Sequence, residues 1–108
     1  MARRVFEPVV STFLKTDEVN HGESIEFKIS YGFELNNPNP VFKIQMVGEG
    51  YIKGRQAPSY SDNDFDKIIQ IRTVLKTYFQ NLDPNLRDKV RDDTIEIPGL
   101  STKHSIFL

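Results

Sequence analysis

Residues 24–35 read SIEFKISYGFEL and form the clearest secondary-structure signal in the chain. Every second position is apolar, and the positions between them are polar or glycine. The apolar set comprises Ile25, Phe27, Ile29, Tyr31, Phe33 and Leu35. Because successive strand residues point to opposite faces of a sheet, one face of this strand is apolar and we expect the other to be solvated. A sheet with one solvated face favours antiparallel pairing.

Downstream, residues 36–40 read NNPNP and end this strand. Asparagine tolerates left-handed backbone dihedrals, while proline fixes φ and has no backbone N–H to donate. Residues 41–53 then alternate again, with one face formed by Phe42, Ile44, Met46 and Ile52. The two alternating stretches predict a β-hairpin with a five-residue turn.

The segments on either side of this hairpin complete the pattern. Upstream, residues 4–15 predict an extended segment in which Pro8 favours an edge position or a bend. Downstream, apolar residues recur every three or four positions over residues 62–82, which indicates a helix. Ser61 and the aspartates that follow it suit the N-cap and first turn. The apolar arc of this helix is wide, which predicts burial by the sheet and by something else.

These elements indicate one domain spanning residues 1–108 with an α+β fold. We expect a three- to four-stranded antiparallel sheet over residues 4–53, followed by one main helix packed on its apolar face. Residues 84–108 are expected to hold a short helix, a short strand and a tail. The tail ends in the apolar residues Ile106, Phe107 and Leu108, which predicts that it docks on the body or on a partner.

Composition argues against several classes of protein. The chain has 14 Lys and Arg against 15 Asp and Glu, a net charge of −1, and no cysteine. Without cysteine, neither a disulfide scaffold nor a thiolate metal site is possible. A near-neutral charge argues against nucleic-acid binding. No stretch approaches the ~20 apolar residues that span a bilayer, so we expect a soluble cytoplasmic protein without membrane insertion.

Candidate sites for chemistry are few. Asp62, Asp64 and Asp66 match the first ligand positions of an EF-hand loop, but Lys67 stands where that loop needs glycine and Thr73 where it needs glutamate. A helix cap explains these aspartates more simply.

The residue types that most often act as nucleophiles or ligands are isolated in this chain. His21 and His104 are the only histidines, and neither has a second imidazole at ligand spacing. No serine lies in a G-x-S-x-G setting. We therefore expect no metal site, no cofactor, no catalytic residue and no enzymatic activity.

The aromatic residues indicate a different kind of site. A core of this size cannot easily bury all eight Phe and four Tyr, and tyrosine is enriched at interfaces because one end of its ring tolerates water. Together with the apolar tail, some of them predict a partner-binding surface. Its candidates are Tyr31, Phe33, Phe42, Tyr51, Tyr78, Ile106 and Phe107.

The order of elements resembles that of the SecB-like export chaperones over about residues 24–98. The last strand, residues 41–52 (VFKIQMVGEGYI), carries glycine and an aromatic residue, as in that family. A polar loop, a long helix and the sequence Ile95-Glu96-Ile97-Pro98 follow it. The resemblance implies a four-stranded antiparallel sheet with helices on one face, self-assembly and a hydrophobic groove for unfolded or extended peptides. It carries no individual residue over as functional.

We therefore expect a non-enzymatic protein-binding module that acts through an oligomeric or partner interface, with chaperone-like binding implied by the resemblance. The expected partner is another protein or further copies of the chain in a homo-oligomer. The alternative is a structural component of a larger assembly, such as a phage virion or a secretion machine.

Overall fold

The computed structural model describes residues 6–15, 25–48, 60–83 and 92–105, together with the backbone of residues 51–52. These residues form a five-stranded sheet with one long helix packed on one of its faces. The α+β fold predicted from the change in apolar spacing is therefore confirmed.

The strands are β1 (Phe6–Lys15), β2 (Ile25–Glu34), β3 (Val41–Gly48), β4 (Tyr51–Ile52) and β5 (Asp93–Thr94), and the helix is α1 (Asp62–Asn81). Their order across the sheet is β4-β3-β2-β1-β5. β1 to β4 pair antiparallel, as the alternation predicted. The fifth strand is parallel to β1 and pairs only at Val10 and Ser11. Two residues are too few for any periodicity, so the sequence pattern could not predict this pairing.

β1 is a single irregular strand. Its register against β2 shifts between Pro8 and Val10, where one residue bulges out of the ladder. Pro8 lies opposite Gly32, and the proline favours this irregularity because it cannot donate a backbone hydrogen bond. The bend predicted for this segment is therefore a bulge.

The connection between β2 and β3 is residues 35–40, one residue longer than predicted because Leu35 already lies outside β2. Asn36 adopts φ 63°, the left-handed conformation that asparagine tolerates. The amide of Asn37 donates to the carbonyl of Glu34 at 3.1 Å, which closes the turn.

α1 begins where the sequence indicated. Ser61 is the N-cap, and its hydroxyl accepts a hydrogen bond from the amide of Asp64 at 3.1 Å. Asp62 and Asp64 lie in the first turn, where the helix dipole favours negative charge. The last helical residue is Asn81, one residue before the predicted end, and Leu82 caps the helix in an extended conformation.

The core lies between α1 and the face of β1 and β2 that it covers. Its buried members are Val10, Leu14, Ile25, Phe27, Ile29, Met46, Ile68, Ile71 and Leu75. The helix thus buries one stripe at spacings of three and four against strand residues at a spacing of two, as the two periodicities require.

The opposite face of the sheet is only partly solvated: Glu34 is exposed as expected, but the expectation was wrong for two other polar residues of β2. Glu26 is 1% exposed and Ser30 is 0% exposed, although both alternate with the apolar residues of β2. The reason is that residues 92–105 return to the sheet. Asp92 contacts this face, and the hydroxyl of Ser105 donates to the carboxylate of Glu26. The short helix predicted before this segment lies outside the described residues.

Candidate functional site

The helix covers only part of the sheet. α1 packs mainly on β2 and β1, and Met46 of β3 joins the core beside them. Phe42 and Ile44 of β3 pair with Tyr31 and Ile29 of β2, so they share the face on which the helix sits. Both remain only half-buried at the rim of the core. Among the described residues, the sheet therefore leaves a partly covered apolar strip beside the helix.

One flank of α1 faces away from this strip. Tyr78 donates a hydrogen bond to Asp93 beside β1, and Lys67 shares a cleft with Glu96. Phe65 and Ile69 lie about half a turn away around the helix axis, on the flank towards β3. Each of these two side chains is 47% exposed.

We call the surface formed by Phe42, Ile44, Phe65 and Ile69 the β3–α1 face. Aromatic contacts fix how the helix runs along it. Near the start of α1, the rings of Phe65 and Tyr60 are 5.9 Å apart, and the rings of Tyr60 and Phe27 are 5.2 Å apart. Near its end, the ring of Phe79 lies 5.0 Å from Tyr31 and 5.7 Å from Phe33.

The flank that carries Phe65 and Ile69 continues with basic residues. Arg72 and Lys76 follow them at helical spacing, and both side chains are exposed. Neither forms an ion pair with another described residue. This flank of α1 is thus apolar towards the start of the helix and basic towards its end, and Phe42 of β3 lies near the basic end.

The outer edge of β3 borders the same surface. β4 pairs only with Val47 and Gly48, so residues 41–46 have no strand beyond them among the described parts of the chain. Such an edge presents backbone N–H and C=O groups to its surroundings.

The structure places the predicted site residues in three groups. Phe42 belongs to the β3–α1 face, and Tyr31 and Phe33 adjoin it through Phe79. Tyr78 lies on the opposite flank of α1, beside Asp93. The side chain of Tyr51, and the residues Ile106 and Phe107, lie outside the described residues.

The exposed residues of α1 were not among the predicted site residues. Phe65 and Ile69 fit the apolar spacing that predicts the helix over residues 62–82, and spacing alone does not separate a buried side chain from an exposed one. The signal for them was the width of the arc, which exceeds what one sheet face covers. Arg72 and Lys76 carried no signal in the sequence.

A buried polar network on the opposite sheet face is the strongest arrangement of reactive groups. The hydroxyl of Ser11 donates to Asp92 at 2.5 Å, and the Oγ atoms of Ser11 and Ser30 are 2.8 Å apart. The ammonium group of Lys28 lies 2.6 Å from the other oxygen of Asp92. Neither serine is exposed, so neither hydroxyl reaches a substrate. The network anchors Asp92 to the sheet.

The clefts in the described part of the chain have mixed linings. The larger, about 350 Å³, lies at the end of β1 and includes Lys15, Glu26, Lys67 and Glu96. A smaller cleft of about 230 Å³ adjoins Phe33 and the turn after β2. Lysines and carboxylates alternate in the larger one, so it has no single sign of charge to select a ligand.

Two tyrosines have a raised pKa. Burial raises the pKa of Tyr60. The pKa of Tyr78 is raised first by its hydrogen bond to Asp93, then by burial and by the negative charge of that carboxylate. Both phenols therefore stay protonated at neutral pH and act as packing and hydrogen-bonding groups.

Within the described residues, no group of three or more His, Asp or Glu side chains is placed to hold a metal ion. The same residues include no helix long and apolar enough to span a membrane. Comparison with models of protein families, with curated proteins and with solved structures gives no match.

Proposed function

We propose that this chain is a non-enzymatic protein-binding module and that the β3–α1 face is its binding surface. The observation that carries the proposal is the exposure of Phe65 and Ile69 on the flank of α1 towards β3, the strand on which Phe42 and Ile44 are only partly buried. Exposed apolar residues scattered singly are ordinary on a protein surface. Two exposed apolar residues on one flank of a helix, next to partly buried apolar residues of the sheet, are typical of an interaction site.

The polar groups of the chain support a structural use rather than a catalytic one. Ser11 and Ser30 are buried, and their hydrogen bonds are directed at each other and at Asp92. A serine nucleophile needs a base beside it and access to its substrate. Here the partner of Ser11 is a carboxylate already engaged by Lys28, so the arrangement stabilises a contact between strand and C-terminal segment.

Site-specific photo-crosslinking tests the proposal. A photoreactive residue is placed at position 69 on the β3–α1 face, and in a control at position 70, on the exposed side of α1 away from β3. We expect protein crosslinks in an extract of the native host from position 69 and few from position 70. Equal yields from the two positions, or none from either, would contradict the proposal.

Binding between copies of the chain through the β3–α1 face would give the expected homo-oligomer. Sedimentation of the purified chain at micromolar concentration measures it directly. If the chain sediments as an oligomer, crosslinks from position 69 should join two copies. If it sediments as a monomer, those crosslinks should carry a different protein, and the expectation of a homo-oligomer would be wrong.

A further inference from the structure

We infer that the β3–α1 face binds an amphipathic helix of a partner protein, one that is apolar on one side and acidic on a flank. This inference rests on the proposed function and names the partner's chemistry. Three features of this face indicate such a helix: the position of the apolar strip beside α1, the side chains that line the strip and the charge at one end of α1.

The width of the strip suits a helix. Packed helices lie about 8–10 Å apart, which equals about two strand spacings of ~4.8 Å. Because α1 sits over β1 and β2, a second helix two strand spacings further on lies over β3 and the open edge beyond it. One layer of two helices would then cover the sheet from β1 to β3.

The side chains that line the strip are spaced as a helix-packing surface. Phe65, Ile69, Arg72 and Lys76 follow one another at intervals of four, three and four, which places them in one row along α1. A stripe at mixed spacings of three and four is the side that a helix presents to a neighbouring element. Phe42 and Ile44 supply the apolar floor beneath.

The positive charge on α1 predicts the sign of the charge on the flank of the partner helix. Arg72 and Lys76 lie at one end of the row, and neither is paired with a described carboxylate. A partner helix that carries glutamate or aspartate opposite them gains two ion pairs. A partner with lysine there meets like charge, which helix neighbours avoid.

The helix of a second copy does not match this description. The side of α1 that points away from its own sheet is mostly polar, because Asn63, Asp66, Gln70 and Thr77 are exposed there beside a single apolar residue, Val74. Laid over Phe42 and Ile44, that side would bury polar groups on apolar ones. An extended strand added at the open edge of β3 would pair backbone groups but leave Phe65 and Ile69 uncovered.

Two synthetic helical peptides test the inference with the full chain. Both carry leucine at every third or fourth position, and their flanks carry glutamate in one and lysine in the other. Fluorescence anisotropy at low salt measures each dissociation constant. We expect the glutamate peptide to bind about tenfold more tightly, since two exposed ion pairs replace two repulsive contacts.

Charge reversal on the protein sharpens the test. Arg72→Glu should abolish the preference between the two peptides, because Lys76 then attracts the peptide flank that the introduced glutamate repels, and Ile69→Asp should weaken both. Lys103→Glu is the matched control, because it changes the net charge equally at an exposed position beyond the far edge of β1. That control should leave the preference unchanged.

Three results would overturn the inference: equal binding of both peptides, a preference that Lys103→Glu shifts as much as Arg72→Glu, or circular dichroism that shows the bound peptide to be non-helical. Crosslinking reports separately on the proposed function. If position 69 crosslinks to a protein while neither peptide binds, the face is a binding surface whose occupant is not an acidic amphipathic helix. If position 69 also fails to crosslink, both proposals are wrong.

Discussion

Ser11 and Ser30 face each other across β1 and β2 with their Oγ atoms 2.8 Å apart, and neither side chain is exposed. The hydroxyl of Ser11 has one proton and donates it to Asp92, so the hydroxyl of Ser30 must donate to Ser11. A chain of hydrogen bonds therefore runs from β2 through β1 to the C-terminal segment. Lys28 completes it at Asp92.

Ser11→Ala should destabilise the fold by about 1–3 kcal/mol, because it leaves the buried hydroxyl of Ser30 without its acceptor. Ser30→Ala should cost less, because Ser11 keeps its bond to Asp92. In the double variant the cost should be smaller than the sum of the two, since the groups act as one network. Urea unfolding measures all three, and strict additivity would contradict the network.

Thr12 should hold the C-terminal segment at the edge of β1. Its Oγ1 lies 2.8 Å from the carbonyl of Ile95, 2.9 Å from that of Thr102 and 2.7 Å from the hydroxyl of Ser101. Thr12→Val keeps the shape and removes these bonds, which should cost about 1–3 kcal/mol. Hydrogen exchange at the amides of Ile95 and Thr102 should accelerate more than exchange in α1. Uniform acceleration would show that the segment does not open by itself.

Gly32 should not tolerate a side chain. An added Cβ would meet the carbonyl oxygen of Glu7 and, at 2.8 Å, the Cα of Pro8, both of them backbone atoms of β1. Gly32→Ala should therefore destabilise by about 1–3 kcal/mol through overpacking. Gly99→Ala is the contrast. An added Cβ has open space there and the strain comes from the left-handed φ of 76° alone, so this change should cost about 1 kcal/mol. Thermal unfolding compares them, and a smaller loss at Gly32 would be the contrary result.

Stability should fall in alkaline solution through Tyr78. Its pKa in the folded chain is raised above the ordinary value of 10.0, mainly by the hydrogen bond to Asp93. The folded state therefore holds the phenol proton more tightly than the unfolded state does. That contribution is complete below pH 10.0 and is lost as the pH rises through the folded pKa. Unfolding of Tyr78→Phe should show a weaker dependence on pH in this range, and an unchanged dependence would contradict the assignment.

Variants on the β3–α1 face should fold normally. Ile69 is 47% exposed, so Ile69→Gln should change the free energy of unfolding by no more than about 0.5 kcal/mol. Ile68→Gln, one residue earlier and buried in the core, should instead cost about 2 kcal/mol or more. Denaturant midpoints separate the two. A large loss at Ile69 would mean that this side chain stabilises the isolated chain.

The local pattern determined most of the fold. Period-two alternation in residues 24–35 and 41–53 predicted β2 and β3, because a strand turns alternate side chains to opposite faces. Spacings of three and four residues, with Ser61 at the start, predicted α1 within one residue at its end. These features depend only on neighbours along the chain, which is why the sequence alone carries them.

Contacts between residues far apart in the sequence became visible only in the tertiary structure. Glu26 and Ser30 alternate with the apolar residues of β2, so they were expected to be solvated. They are buried because residues 92–105 return across β1. Likewise, Phe65 and Ile69 matched the apolar period of the core, yet the position of α1 over β1 and β2 leaves them exposed beside β3. Periodicity states which side chains share a face, whereas burial depends on what the rest of the chain lays over that face.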